Sequence, residues 1–131
     1  MKVFKFGGAS IKDANGVKNL ASVLNKTGHK NTLIVVSAMG KTTNALEIVI
    51  KNYFDKSPEL QSSIQEVKKY HNQILLDLFE DDKNAVFKDV NSLFSELDHF
   101  ISQNKSPNYN FVYDQIVSFG ELISTTIISH Y

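Results

Sequence analysis

The stretch Val3-Phe4-Lys5-Phe6-Gly7-Gly8-Ala9-Ser10 constrains the fold more than any other, because a β-forming run leads straight into two glycines. β-Branched and aromatic residues around a single lysine predict a buried strand. Paired glycines let the backbone turn sharply and let a ligand approach with no Cβ in the way. Ser10 is predicted to open a helix, with Asp13 three residues on as a weak capping box. A strand, a glycine turn and a helix N-terminus offer free N–H groups to an anion. Lys5 adds a mobile positive charge beside them. Lys5, Gly7, Gly8 and Ser10 therefore read as a phosphate-handling loop.

The pattern downstream is α/β. A helix is predicted over Ile11 to Thr27, with Ala14, Val17, Leu20, Ala21 and Leu24 on one face and Gly28 as its C-cap. Thr32 to Val36 is an unbroken apolar run, the signature of a parallel strand covered on both faces. Four more helices follow: Ala45 to Phe54, one begun by Ser57-Pro58-Glu59, about Asn84 to Gln103, and about Phe111 to Tyr131. Glu80-Asp81-Asp82 reads as a solvated helix end rather than a metal site. Two strands against five helices is an unusual balance, since two strands alone leave edges and faces uncovered. The pattern predicts one layer of a larger sheet, with exposed apolar surface and self-association when the chain stands alone.

Composition narrows the function. Lys plus Arg equals Asp plus Glu at 14 each, which leaves no charge footprint for nucleic acid or an anionic membrane. No run approaches the roughly 20 apolar residues of a membrane span, and the N-terminus lacks the apolar core of a signal peptide. The absence of cysteine fits a cytoplasmic protein. All basic residues are lysines, so the chain has no arginine for two-point clamping of a carboxylate.

Gly40-Lys41-Thr42 invites a P-loop reading, but the first glycine of that motif would fall at Val35, inside the strand. The hydroxyls after the second strand instead suggest either a ligand loop or simple helix capping by Thr43. Glu121 lies on a mainly apolar helix among Phe119, Leu122, Ile123 and Ile127, where a carboxylate needs a partner. Gly120 beside it predicts close approach of another element or ligand, since glycine inside a helix costs about 1 kcal/mol against alanine. His29, His71, His99 and His130 have no metal spacing and are expected at the surface or at helix edges.

Three segments also carry a resemblance. Lys5-Phe6-Gly7-Gly8-Ala9-Ser10 resembles the K-F-G-G-[TS]-S opening of aspartate kinases, within the amino-acid kinase family, with Ala9 in place of the usual hydroxyl residue. Val35-Val36-Ser37-Ala38 together with Thr43-Asn44-Ala45-Leu46 is similar to that family's second loop. Gly120-Glu121-Leu122-Ile123-Ser124 is similar to its G-E-x-x-S element.

The resemblance implies an incomplete α/β/α sandwich of the amino-acid kinase type over residues 1–131, helix-rich with two parallel strands. A helical insertion would span about 57–104. It implies transfer of the ATP γ-phosphoryl group, with Mg²⁺, to the side-chain carboxylate of L-aspartate. Lys5 and the Gly7–Gly8 amides would steady the phosphoryl group. Ser37, Thr43 and Glu121 would hold the amino acid, and Asn44 would shape the loop. The nucleotide-binding half, the family's clamping arginine and the ACT regulatory domains would follow Tyr131, so the chain alone is expected to lack kinase turnover. The competing reading is a stand-alone ligand-binding or helical interaction module derived from such a lobe. A kinase for another amino acid, such as glutamate, fits the second loop and the G-E-x-x-S element less well.

Overall fold

Strands β1 (Lys2–Phe6) and β2 (Thr32–Val36) lie side by side and parallel, with Lys2 opposite Thr32 and Phe6 opposite Val36. The computed structural model describes residues 1–81 and 83–131. Between the strands run a short 3-10 turn at Gly8–Ile11 and helix α1 (Ala14–Thr27). The chain continues as α2 (Thr42–Phe54), α3 (Leu60–Leu78), α4 (Ala85–Gln103) and α5 (Tyr109–His130). Helix α2 packs against α3 and α5, and α4 packs against α5.

The core lies among these helices because each carries an apolar stripe at helical spacing. Leu46, Val49 and Ile50 of α2 meet Ile64, Val67 and Leu75 of α3, Val90 and Leu97 of α4, and Ile116, Ile123 and Ile127 of α5, all buried. Each such side chain contributes about 1.5–3 kcal/mol through burial.

Each strand by itself reads as buried, yet the sheet shows the exposed apolar surface expected of one layer of a larger sheet. Residues paired across a parallel ladder point to the same face. Val3, Leu33, Lys5 and Val35 therefore share one face, and all four are exposed. On the opposite face, Ile34 and Val36 line an apolar groove of about 340 Å³ closed by Val17, Leu20 and Leu24 of α1 and Ile128 of α5. Burial of both strand faces is not achieved within these residues, because helices stand on one face only.

Helix starts differ from expectation in two places. Ser10 does not open α1. Asp13 does, in extended backbone, with its carboxylate accepting from the Gly16 amide at 2.8 Å. Ile11 between them is fully buried, and the chain from Gly8 to Ile11 takes a tight 3-10 turn instead. Helix α2 begins at Thr42 rather than Ala45, because the Thr42 amide and hydroxyl both donate to the Met39 carbonyl, at 3.0 and 2.5 Å. Asn84 and Asn108 cap α4 and α5 through their side-chain oxygens. Glu80 and Asp81 are exposed beyond the end of α3, and the third residue of that acidic run, Asp82, lies outside the described residues. Among the described residues, no helix is long and apolar enough to cross a membrane.

Candidate functional site

Because β1 and β2 end in register at Phe6 and Val36, the loops that follow them leave the sheet together. The crevice beyond the carboxyl ends of parallel strands is where α/β sheets bind ligands. The Ser37 amide donates to the Phe6 carbonyl at 3.1 Å, and the Gly40 amide donates to the Gly8 carbonyl at 2.9 Å. A Cβ on Gly8 would stand 2.8 Å from the carbonyl oxygens of both Ala38 and Gly40. The first loop thus needs glycine at position 8 to let the second loop's backbone approach. Gly7 differs: nothing lies within 4 Å of where its Cβ would be, so space for a ligand remains at that position. Gly40 turns the second loop through the left-handed region at φ 55°, where a side chain is strained.

Helix α5 is drawn onto the same place. A Cβ on Gly120 would lie 3.0 Å from the Ala38 Cβ and 3.2 Å from Leu46 Cδ1 and Thr42 Cγ2. The close approach predicted for Gly120 is therefore an approach of helix to loop, and it sets Glu121 next in sequence to the contact. Glu121 itself is exposed. The burial cost argued from its apolar sequence neighbours is not incurred, because those neighbours lie on other faces of the helix. Ser124, one turn on, is fully buried, and its hydroxyl has no hydrogen-bond partner.

The remaining expected residues are distributed as follows. Lys5 is exposed on β1, one residue before the strand's end. Ser10 is exposed at the 3-10 turn, and its amide donates to the Gly7 carbonyl at 3.1 Å. The N-terminus of α1 is occupied by its own Asp13 carboxylate, so any anion would meet the start of the 3-10 turn rather than α1. Ser37 is half-buried between the loops. Thr43 and Asn44 stand in the first turn of α2, half-buried and exposed respectively, so Asn44 belongs to the helix and not to the loop. Lys41 occupies the position before α2, which leaves Thr43 no capping role.

Two residues of α3 make contacts that the sequence did not reveal. His71, on the apolar stripe of α3 yet expected at the surface or a helix edge, is fully buried. Its Nδ1 donates to the Val67 carbonyl at 2.8 Å, and its Nε2 lies 3.4 Å from the Thr42 hydroxyl. Burial pushes its pKa below the ordinary value, and the Val67 bond opposes that only partly. Tyr70 is half-buried, and its hydroxyl donates to the Lys12 carbonyl. Burial, and then the charge of Asp13, push its pKa up. Periodicity places both near the helix stripe, and nothing local reveals what their polar atoms reach.

The site is thus two loops joined through glycines at the ends of parallel strands, with helix α5 docked on them. The profile of the amino acid kinase family matches residues 1–131. The chain belongs to the amino acid kinase family. Within that family its similarity is to aspartokinases. It is 31% identical over 132 residues to aspartokinase 1, chloroplastic, of Arabidopsis thaliana, covering 98% of this chain and 23% of that protein. It is 27% identical over 134 residues to bifunctional aspartokinase/homoserine dehydrogenase 2, chloroplastic, of the same plant, covering 98% of this chain and 14% of that one. The crystal structure of E. coli aspartokinase III with aspartate and ADP superposes with a TM-score of 0.81 at 22% identity, over 98% of this chain and 28% of that one. The fold is thus that of the corresponding stretch of an aspartokinase. The chain spans about a seventh to a quarter of the length of the curated relatives it matches.

Proposed function

We propose that this chain supplies the loops of an aspartate kinase that hold L-aspartate and the phosphoryl group passing from ATP to its side-chain carboxylate. The product would be 4-phospho-L-aspartate, at the entry to lysine, threonine and methionine biosynthesis. The observation that carries this reading is the junction of the Gly7–Gly8 loop, the Ser37–Lys41 loop and Gly120, which gathers all three aspartokinase-like segments at one end of the sheet.

Phosphoryl transfer depends mostly on positioning and on stabilising charge. Lys5 would place its ammonium against the phosphoryl oxygens, with the backbone at the open Gly7 and at Gly8 beside it. Ser10 would add a hydroxyl from the exposed side of the turn. Glu121 would hold the amino group of aspartate, while Ser37 and Thr43 would hydrogen-bond the amino acid or the phosphoryl group. Asn44 would stand beside Thr43 on the helix. Among the described residues no group of three or more His, Cys, Asp or Glu could hold a metal ion. Mg²⁺ would come with the nucleotide's phosphates and neutralise their charge. With no arginine in the chain, no aspartate-dependent ADP release is expected from these 131 residues alone.

An NMR titration tests the reading. L-aspartate alone should shift the Thr43 and Glu121 amides, whereas ATP with Mg²⁺ is not expected to be held without the nucleotide-binding half. Silence with both ligands would sink it and favour a helical interaction module. Aspartate-dependent ADP release from the purified chain would overturn the expectation that it lacks turnover.

A further inference from the structure

We propose that Tyr70, on α3 and outside all three motif segments, is a positioning residue that holds the two ligand loops in register. The inference rests on the reading of those loops as the phosphate and amino-acid site.

Its hydroxyl reaches back 58 residues to donate to the carbonyl of Lys12, just beyond the 3-10 turn of the first loop. The same phenol fills the space where a side chain on Gly40 would go, with its Cζ 3.3 Å from that Cβ position. Lys12 Cβ lies 3.4 Å from the same point, so the first loop, the second loop and Tyr70 converge there. Gly40 then closes the circuit by donating to Gly8. One rigid aromatic ring thus touches both loops, and its hydroxyl satisfies a carbonyl that neither loop satisfies itself. The adjacent His71 faces the Thr42 hydroxyl at the start of α2, so consecutive residues of α3 brace the first loop and the helix that follows the second. A shift of about 1 Å in groups that position a substrate can cost a hundredfold in rate. The long helical segment between the second loop and Glu121 therefore reaches the site through this residue.

The test is Tyr70→Phe in the 131-residue chain, which keeps the ring and removes only the hydroxyl. Two readouts are needed: native-state hydrogen exchange at the Gly40 and Ser10 amides, and the inorganic phosphate concentration that half-saturates the amide shifts of Gly7 and Gly8. A lost hydrogen bond of ordinary strength predicts exchange about 5- to 10-fold faster at both amides, with a comparable loss of about 1 kcal/mol in global stability. Phosphate affinity should fall by a similar factor. A purely structural contact would lower stability equally and leave phosphate affinity in the folded protein as it was. Unchanged exchange, or unchanged phosphate affinity where wild type binds, overturns the proposal. If phosphate shifts nothing even in wild type while exchange accelerates as expected, the loop brace stands and the phosphate reading of Gly7 and Gly8 fails. Should Tyr70→Phe not fold, Tyr70→Leu, which also removes the hydroxyl and keeps an apolar side chain on α3, must produce the same loosening.

Discussion

Gly8 and Gly40 meet through their backbones, the Gly40 amide donating to the Gly8 carbonyl at 2.9 Å with no space for a side chain on the Gly8 side. The two glycines of the first loop consequently have opposite tolerances. Gly8→Ala drives a methyl into two carbonyl oxygens 2.8 Å away, and backbone cannot yield as a side-chain tip can. Its cost should lie at the upper end of about 1–3 kcal/mol. Gly7 is in extended backbone at φ −78° with open space around it, so Gly7→Ala should be neutral or stabilise by about 0.4–1 kcal/mol. Urea denaturation of both variants checks this, and equal effects would refute the backbone contact.

Asp13, not Ser10, caps α1. Asp13→Ala should cost about 1 kcal/mol and Asp13→Asn much less, because either oxygen can accept from the Gly16 amide. Ser10→Ala should barely change stability. Thermal melts of the three variants decide, and a larger loss from Ser10→Ala would restore the serine cap.

Neutral His71 is buried against the Thr42 hydroxyl of α2 and the ring of Phe94 on α4, with Tyr70 the titratable group beside it. Its folded pKa lies below the unfolded value, so below about pH 6.5 the unfolded chain binds a proton that the folded one refuses. This contribution is fully present above the unfolded pKa and is lost as pH falls through the folded one, with a slope of at most about 1.4 kcal/mol per pH unit. Unfolding free energies from pH 7.5 down to 5 should show that slope in wild type, and it should be absent in His71→Leu. The same slope in both proteins would assign it to other groups.

The uncovered sheet face carries Val3 at 61%, Leu33 at 51% and Val35 at 40% exposure. Unpaired strand edges beside such a patch favour association with a second copy. The chain alone should self-associate at high concentration, and Leu33→Lys should reduce this several-fold. A clean wild-type monomer by light scattering would contradict the expectation.

Much of this protein could be read locally. Strands ending in glycines, helices with apolar stripes and the order of the three motif segments all depend on residues within a few positions of one another. Periodicity and turn chemistry act at that range, and element boundaries followed within about three residues. Contacts between distant residues were decided elsewhere. Ser10 reads as the helix start with Asp13 only as its capping-box partner, and the burial of Ile11 between them goes with Asp13 being the cap instead. Glu121 reads as buried from its neighbours in sequence, yet a helix has several faces and α5 turns this one to solvent. His71 falls on the apolar stripe of its helix but, as a histidine, is expected at the surface or a helix edge; it lies in the core because α2 and α4 pack around it. Glycine at positions 40 and 120 is explained by Tyr70, Ala38 and Thr42, residues whose proximity exists only after the helices dock. The sequence by itself determined the family pattern and the two-stranded start, because those are written in short-range chemistry. Only the tertiary structure decided which groups meet at the loops, because packing brings together residues about 30 to 80 positions apart.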